Sequence, residues 1–147
     1  MNIIDFRESL IEYIKGALAN SEEFKNDKID VKKAYTTTSI SNSSIFVYIM
    51  DNQESNNQLL SQEANPYYTF QIFAYGKKMK HNGVLVSADD MCTLLVDFII
   101  NIFSKDIIIN TMDNIISIKR TTTSPILPLD NSIELYYSAV RYEAEIQ

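Results

Sequence analysis

The sequence has 147 residues, 46% hydrophobic and 22% charged, with nine Tyr and seven Phe; that is one domain, 1–147, with enough core material to exclude chain-wide disorder. A single cysteine, Cys92, and a single histidine, His81, exclude an internal disulfide, a Cys-based zinc site, multi-His metal motifs and any triad needing a second His. With 13 Lys and Arg against 19 Asp and Glu the net charge is −6, which argues against non-specific binding to nucleic acid or to anionic membranes.

The first element is an amphipathic helix. Ile3, Phe6, Leu10, Ile14 and Ala17 recur at three- and four-residue spacing, with Ile4, Ile11 and Leu18 widening the stripe. Polar residues begin at Asn20-Ser21, where the helix should stop. Three strands are expected next. Residues 31–38 are polar and β-branched, as in an edge strand or the start of a meander. Residues 45–50 are continuously apolar and read as a strand buried on both faces. Residues 67–75 follow Pro66 and put Tyr68, Phe70, Ile72 and Ala74 on one face. The intervening segment 51–65 is mostly Asn, Gln, Ser and Glu, and reads as a long connection of the kind that is often functional or disordered.

The second helix is expected over 87–103. Ser87 is its N-cap, with Asp90 standing where a capping box has Glu, and Asp89 and Asp90 suit the positive end of the helix dipole. Its apolar arc is wider than the roughly 100° a surface helix needs. The arc includes Phe98, expected in the core, and Cys92, read as a small buried hydrophobe. It therefore calls for cover from the sheet plus the first helix or a neighbouring subunit.

The last third returns to strand. Ile107-Ile108-Ile109 is a short apolar run, and 115–122 alternates with Ile116 and Ile118 on one face. A Pro-interrupted loop covers 124–131. In 133–146 the apolar residues move from odd to even positions, which suggests a β-bulge near Ser138-Ala139. The expected order is α-β-β-β-α-β-β, an α+β fold with two helices on a mixed or antiparallel sheet.

Chemistry finds little purchase. An enzymatic reading would use carboxylates, for example Asp89 with Asp90 or Glu143 with Glu145, and a solvated face accounts for them better. His81 lies in the one basic cluster, Gly76-Lys77-Lys78-Met79-Lys80-His81-Asn82-Gly83, which could meet an acidic partner or a phosphate backbone and reads first as a solvated loop between strand and helix. No catalytic, cofactor-binding or metal-binding residue is assigned, and neither an enzyme activity nor a cofactor is expected. The polar stretches mark an expected interface at Lys77, Lys78, Lys80, Asp51 and Glu54. Asp5 falls where a signal peptide would be basic, and no apolar run approaches the roughly 18 residues of a membrane span, so a soluble cytoplasmic product is expected.

The element order and the C-terminal third resemble the tail terminator, or tail completion, proteins of long-tailed bacteriophages and related phage-tail-like particles. The most specific part is Ile118-Lys119-Arg120-Thr121-Thr122-Thr123-Ser124-Pro125-Ile126-Leu127-Pro128-Leu129-Asp130, followed by a long strand ending Val140-Arg141-Tyr142-Glu143-Ala144-Glu145-Ile146. The resemblance implies a homo-oligomeric ring, usually a hexamer, that caps the tail tube, stops its polymerisation and joins the head connector or neck protein. In contractile particles the ring also meets the sheath protein. It further implies assembly in the host bacterial cytoplasm, a place in the tail-neck region of the virion, no membrane partner, and DNA passing through the lumen without specific binding. Other readings stand beside it: a tail tube, sheath-initiator, neck or head-completion protein, a small cytoplasmic binding module, or a hydrolase using Asp or Glu.

Overall fold

The computed structural model describes residues 2–34, 40–54, 65–129 and 134–147, with the backbone alone for 51–54. The elements are α1 (Ile3–Asn20), β1 (Asp30–Lys33), β2 (Ser44–Glu54), β3 (Pro66–Lys77), β4 (Met79–His81), β5 (Val84–Val86), α2 (Ala88–Ile102), α3 (Lys105–Thr111), β6 (Ile115–Thr123), β7 (Leu127–Pro128) and β8 (Leu135–Ile146). This is an α+β fold. The sheet order is β1-β2-β3-β8-β6, with β7 on β8 and β4-β5 as a separate hairpin. Only β1-β2 is parallel.

Helix α1 starts where Asn2 Oδ1 accepts the amide of Asp5, and it stops at Ser21 as its polar sequence suggests. Phe6, Leu10, Ile11, Ile14 and Leu18 are buried, but Ile3 and Ile4 at its first turn are exposed rather than part of the inner stripe. The described part of 31–38 reduces to β1 itself, and 35–38 lie outside the described residues. Strand β2 is buried on both faces only over 44–47, and Met50 is exposed at a register shift. The strand then continues through Glu54, so Asp51–Glu54 pair with 66–69 of β3 instead of opening the loop. Residues 55–64 lie outside the described residues.

The inner face of β3 is the one the alternation indicates. Tyr68, Phe70, Ile72 and Ala74 are buried and meet Ile45 and Val47 of β2 and Val140, Tyr142 and Ala144 of β8. Helix α2 lies on this face. Its contact with β3 is backbone to backbone at Gly76, and Cys92 donates from Sγ to the Ala74 carbonyl at 3.6 Å. The parity change in β8 has a different cause from a bulge. Its register with β3 is unbroken from Tyr67↔Glu145 to Lys77↔Leu135. The odd residues Leu135 and Tyr137 are apolar because the second face of the sheet carries its own aromatic group, with ring centres of Phe46–Tyr75 at 5.2 Å and Tyr75–Tyr137 at 6.1 Å.

Besides the shift in β2, bulges sit in β6, where register shifts fall between Ile115 and Ser117 and between Arg120 and Thr122. The first turns Ile115 inward and leaves Ile116 41% exposed, so Ile116 does not join Ile118 against the core. Residues 107–109 are helical, not extended. Ser104 caps α3 and accepts the amides of Ile107 and Ile108 on its carbonyl, and burial of Ile108 outweighs the β preference of three isoleucines. The proline loop supplies β7, whose two residues pair with Tyr136 and Tyr137 at the sheet margin. Among the described residues, no helix is long and apolar enough to cross a membrane.

Candidate interaction surfaces

The basic cluster is not a loop. Asn82 and Gly83 take φ of 50° and 80°, the left-handed pair of a tight hairpin turn, and join β4 to β5 in register Met79↔Val86, Lys80↔Leu85 and His81↔Val84. The Asn-Gly dipeptide just before the apolar run Val84-Leu85-Val86 is the signal that identifies this hairpin in the sequence.

His81 fastens the hairpin. Its ring lies against Phe24, centroid to centroid 5.0 Å, between two carboxylates: Nδ1 is hydrogen-bonded to Asp27 Oδ2, and Nε2 is 3.3 Å from Glu23 Oε1. The His81 side chain is 10% exposed, Asp27 3% and Glu23 47%. The carboxylates face opposite ring nitrogens, so they do not converge on a common point where an ion would sit. The arrangement is a clasp between the hairpin and the α1–β1 turn. Asp27 and Glu23 stand more than fifty residues upstream of His81 in a polar turn, and nothing in their local pattern marks them as its partners.

The three lysines of the cluster have different places. Lys77 ends β3: its amide and carbonyl both bond Ser43 Oγ, at 2.9 and 3.2 Å, and its Nζ donates to the Ile40 carbonyl at 3.2 Å. Lys78 and Lys80 are exposed. Beside them Val84 is 66% and Leu85 59% exposed, the most exposed large apolar side chains among the described residues. Asp51 and Glu54 are at the other end of the sheet. Asp51 pairs with Thr69, eight positions along β3 from Lys77, about 26 Å at about 3.3 Å per residue. One chain therefore does not bring the two parts of the expected interface together.

Beside the clasp, a groove of about 520 Å³ runs between α1 and α2. Ala17, Leu94, Phe98 and Ile102 line it together with Glu23 and Asp97. Phe98 is half-buried here rather than enclosed, its inner edge against Phe24 at 5.1 Å. The excess apolar arc of α2 thus opens partly onto this groove.

The carboxylate pairs lie on the surface. Glu143 is exposed, and Glu145 accepts a hydrogen bond from the Tyr67 hydroxyl at 2.8 Å, which pushes the Tyr67 hydroxyl above its ordinary range. Asp89 and Asp90 are exposed on the first turn of α2. Ser87 occupies the N-cap but makes no capping bond to the helix; its hydroxyl bonds the Asp89 carboxylate and holds it below the usual range. Cys92 is fully buried, and burial pushes its thiol up to about 12. No group of three His, Cys, Asp or Glu among the described residues is placed to hold a metal ion. In comparison with known proteins, the chain matches no family model and no curated protein.

Proposed function

We propose that this chain is a structural virion protein, a ring subunit that caps the tail tube of a long-tailed bacteriophage or a phage-tail-like particle, ends tube polymerisation and joins the tail to the head connector. The reading starts from the resemblance carried by residues 118–130 and the strand that follows them. The observation that carries it furthest is the β4–β5 hairpin. A small acidic chain presents two exposed aliphatic side chains beside two exposed lysines on a projection held rigidly from behind by His81. That combination suits a contact with another protein surface.

A ring of identical copies needs two different patches, each meeting the other on the next copy. The hairpin at one end of β3 and the acidic end of β2 at the other are separate enough to serve different neighbours. The outer edge of β6, which pairs only with β8 among the described residues, offers a further contact. In this reading the acidic surface repels DNA in the lumen, so that it passes without specific binding.

The reading is tested by the solution mass of the purified chain together with negative-stain images of it mixed with tail tubes. Closed rings seated on one tube end are expected. A monomer that leaves tube ends bare would overturn it. The groove between α1 and α2 favours a second reading, a small binding module, which would instead show a monomer that takes up an apolar ligand.

A further inference from the structure

We propose that the groove between α1 and α2 is the receptor for the β4–β5 hairpin of a neighbouring copy. The inference rests on the reading that the chain self-assembles, and it names the contact.

The hairpin has two faces. Met79 and His81 point inward, and His81 is locked against Phe24, Asp27 and Glu23. Lys80 and Leu85 are cross-strand partners and so share the opposite face, with Lys78 two positions before Lys80. Because the inner face is fastened to the chain's own α1–β1 turn, the outward Lys80–Leu85 face points away from the chain's own groove. It is available to a second molecule.

The groove offers the complement. Leu94 and Phe98 give it an apolar floor, Glu23 and Asp97 an acidic rim, and its volume of about 520 Å³ admits the Leu85 side chain. Leu85 over Phe98 would remove from water the exposed apolar surface of both. Lys78 and Lys80 would meet Asp97 and the outer oxygen of Glu23, so the only basic cluster of the chain would be matched to acid. The carboxylate of Glu23 would then belong to both the clasp and the contact. A hairpin displaced by loss of the clasp would therefore also lose its receptor.

A charge swap in the full-length chain tests this. Lys78→Glu with Lys80→Glu, and separately Asp97→Lys, should each weaken self-association about tenfold in low salt and less in high salt. Mixing the two variants should restore association between them, because each now carries the charge the other lacks. Lys77 and Glu23 are left alone, since both are built into the fold. A second measurement does not depend on charge. A chain with Leu85→Cys, mixed with one carrying Asn101→Cys at the groove, should form a disulfide-linked pair under mild oxidation. A Glu143→Cys chain on the far side of the sheet should not. Failure of the swapped pair to associate, with no cross-link above the Glu143→Cys control, overturns the contact. A two-copy species with a working swap keeps the contact and overturns the ring.

Discussion

Gly76 on β3 sits directly under Cys92 on α2. A methyl group built on Gly76 would lie 2.3 Å from the Ala88 carbonyl oxygen and 2.4 Å from the Cys92 nitrogen. The atoms it would strike are backbone, so no rotamer change relieves the clash. Gly76→Ala should force α2 away from the sheet and cost about 3 kcal/mol. Chemical denaturation measures this, and a loss under about 1 kcal/mol would mean that helix and sheet are not in backbone contact.

The Tyr142 ring packs against Phe70 and Phe103, with ring centres at 5.5 and 5.1 Å, and its buried hydroxyl has no hydrogen-bond partner among the described residues. Burial pushes that hydroxyl well above its ordinary range. Tyr142→Phe removes an unpaired polar atom and keeps the ring stack. It should leave stability unchanged or raise it by about 1 kcal/mol. A clear drop in melting temperature would show that the hydroxyl has a partner.

Alkaline pH should loosen the core. Burial pushes the Cys92 thiol from 9.0 up to about 12 and the Tyr13 hydroxyl from 10.0 up to about 12. Both groups hold their proton more tightly when folded than when unfolded. Their contribution is therefore complete below about pH 9 and is lost as the pH rises towards about 12. The urea midpoint should be flat from pH 7 to 9 and fall above that. Cys92→Ala should remove the earliest part of the fall. A thiol that reacts readily with iodoacetamide in the native protein at pH 8 would contradict its burial.

His81 is the hairpin's polar link to the α1–β1 turn, while Met79 and Val86 pack against the core. His81→Ala removes the contacts to Asp27, Glu23 and Phe24 while leaving the Asn82-Gly83 turn and the sheet intact. Losing these contacts should cost about 1–3 kcal/mol, mostly local to the hairpin. Hydrogen exchange should quicken over 79–86 and stay slow in α2. Uniform quickening would make His81 a part of the main core instead.

The sequence carries most of this architecture where a periodic pattern faces one side of the core. Helix α1, the inner face of β3, helix α2 and the burial of Cys92 all follow from spacing. It carries less where a pattern has two causes. The parity shift in β8 is equally what a bulge or a second apolar face produces, and only the pairing with β3 separates them. The isoleucines of α3 have the composition of a strand, and what makes them helical is the packing of Ile108. The hairpin was legible from Asn82-Gly83, but the basic charge around it draws the eye to a loop. The clasp on His81 was not legible, since Glu23 and Asp27 meet it only through the tertiary fold. The groove is visible only as an excess of apolar positions on α2.

The most direct measurement is the length distribution of tails in particles whose gene for this chain has been deleted. On the proposed function, tubes of uncontrolled length, or finished tails that fail to join heads, are expected, with normal particles restored by the intact gene and not by a Lys78→Glu, Lys80→Glu version. Tails of normal length joined normally to heads in the deletion would contradict it.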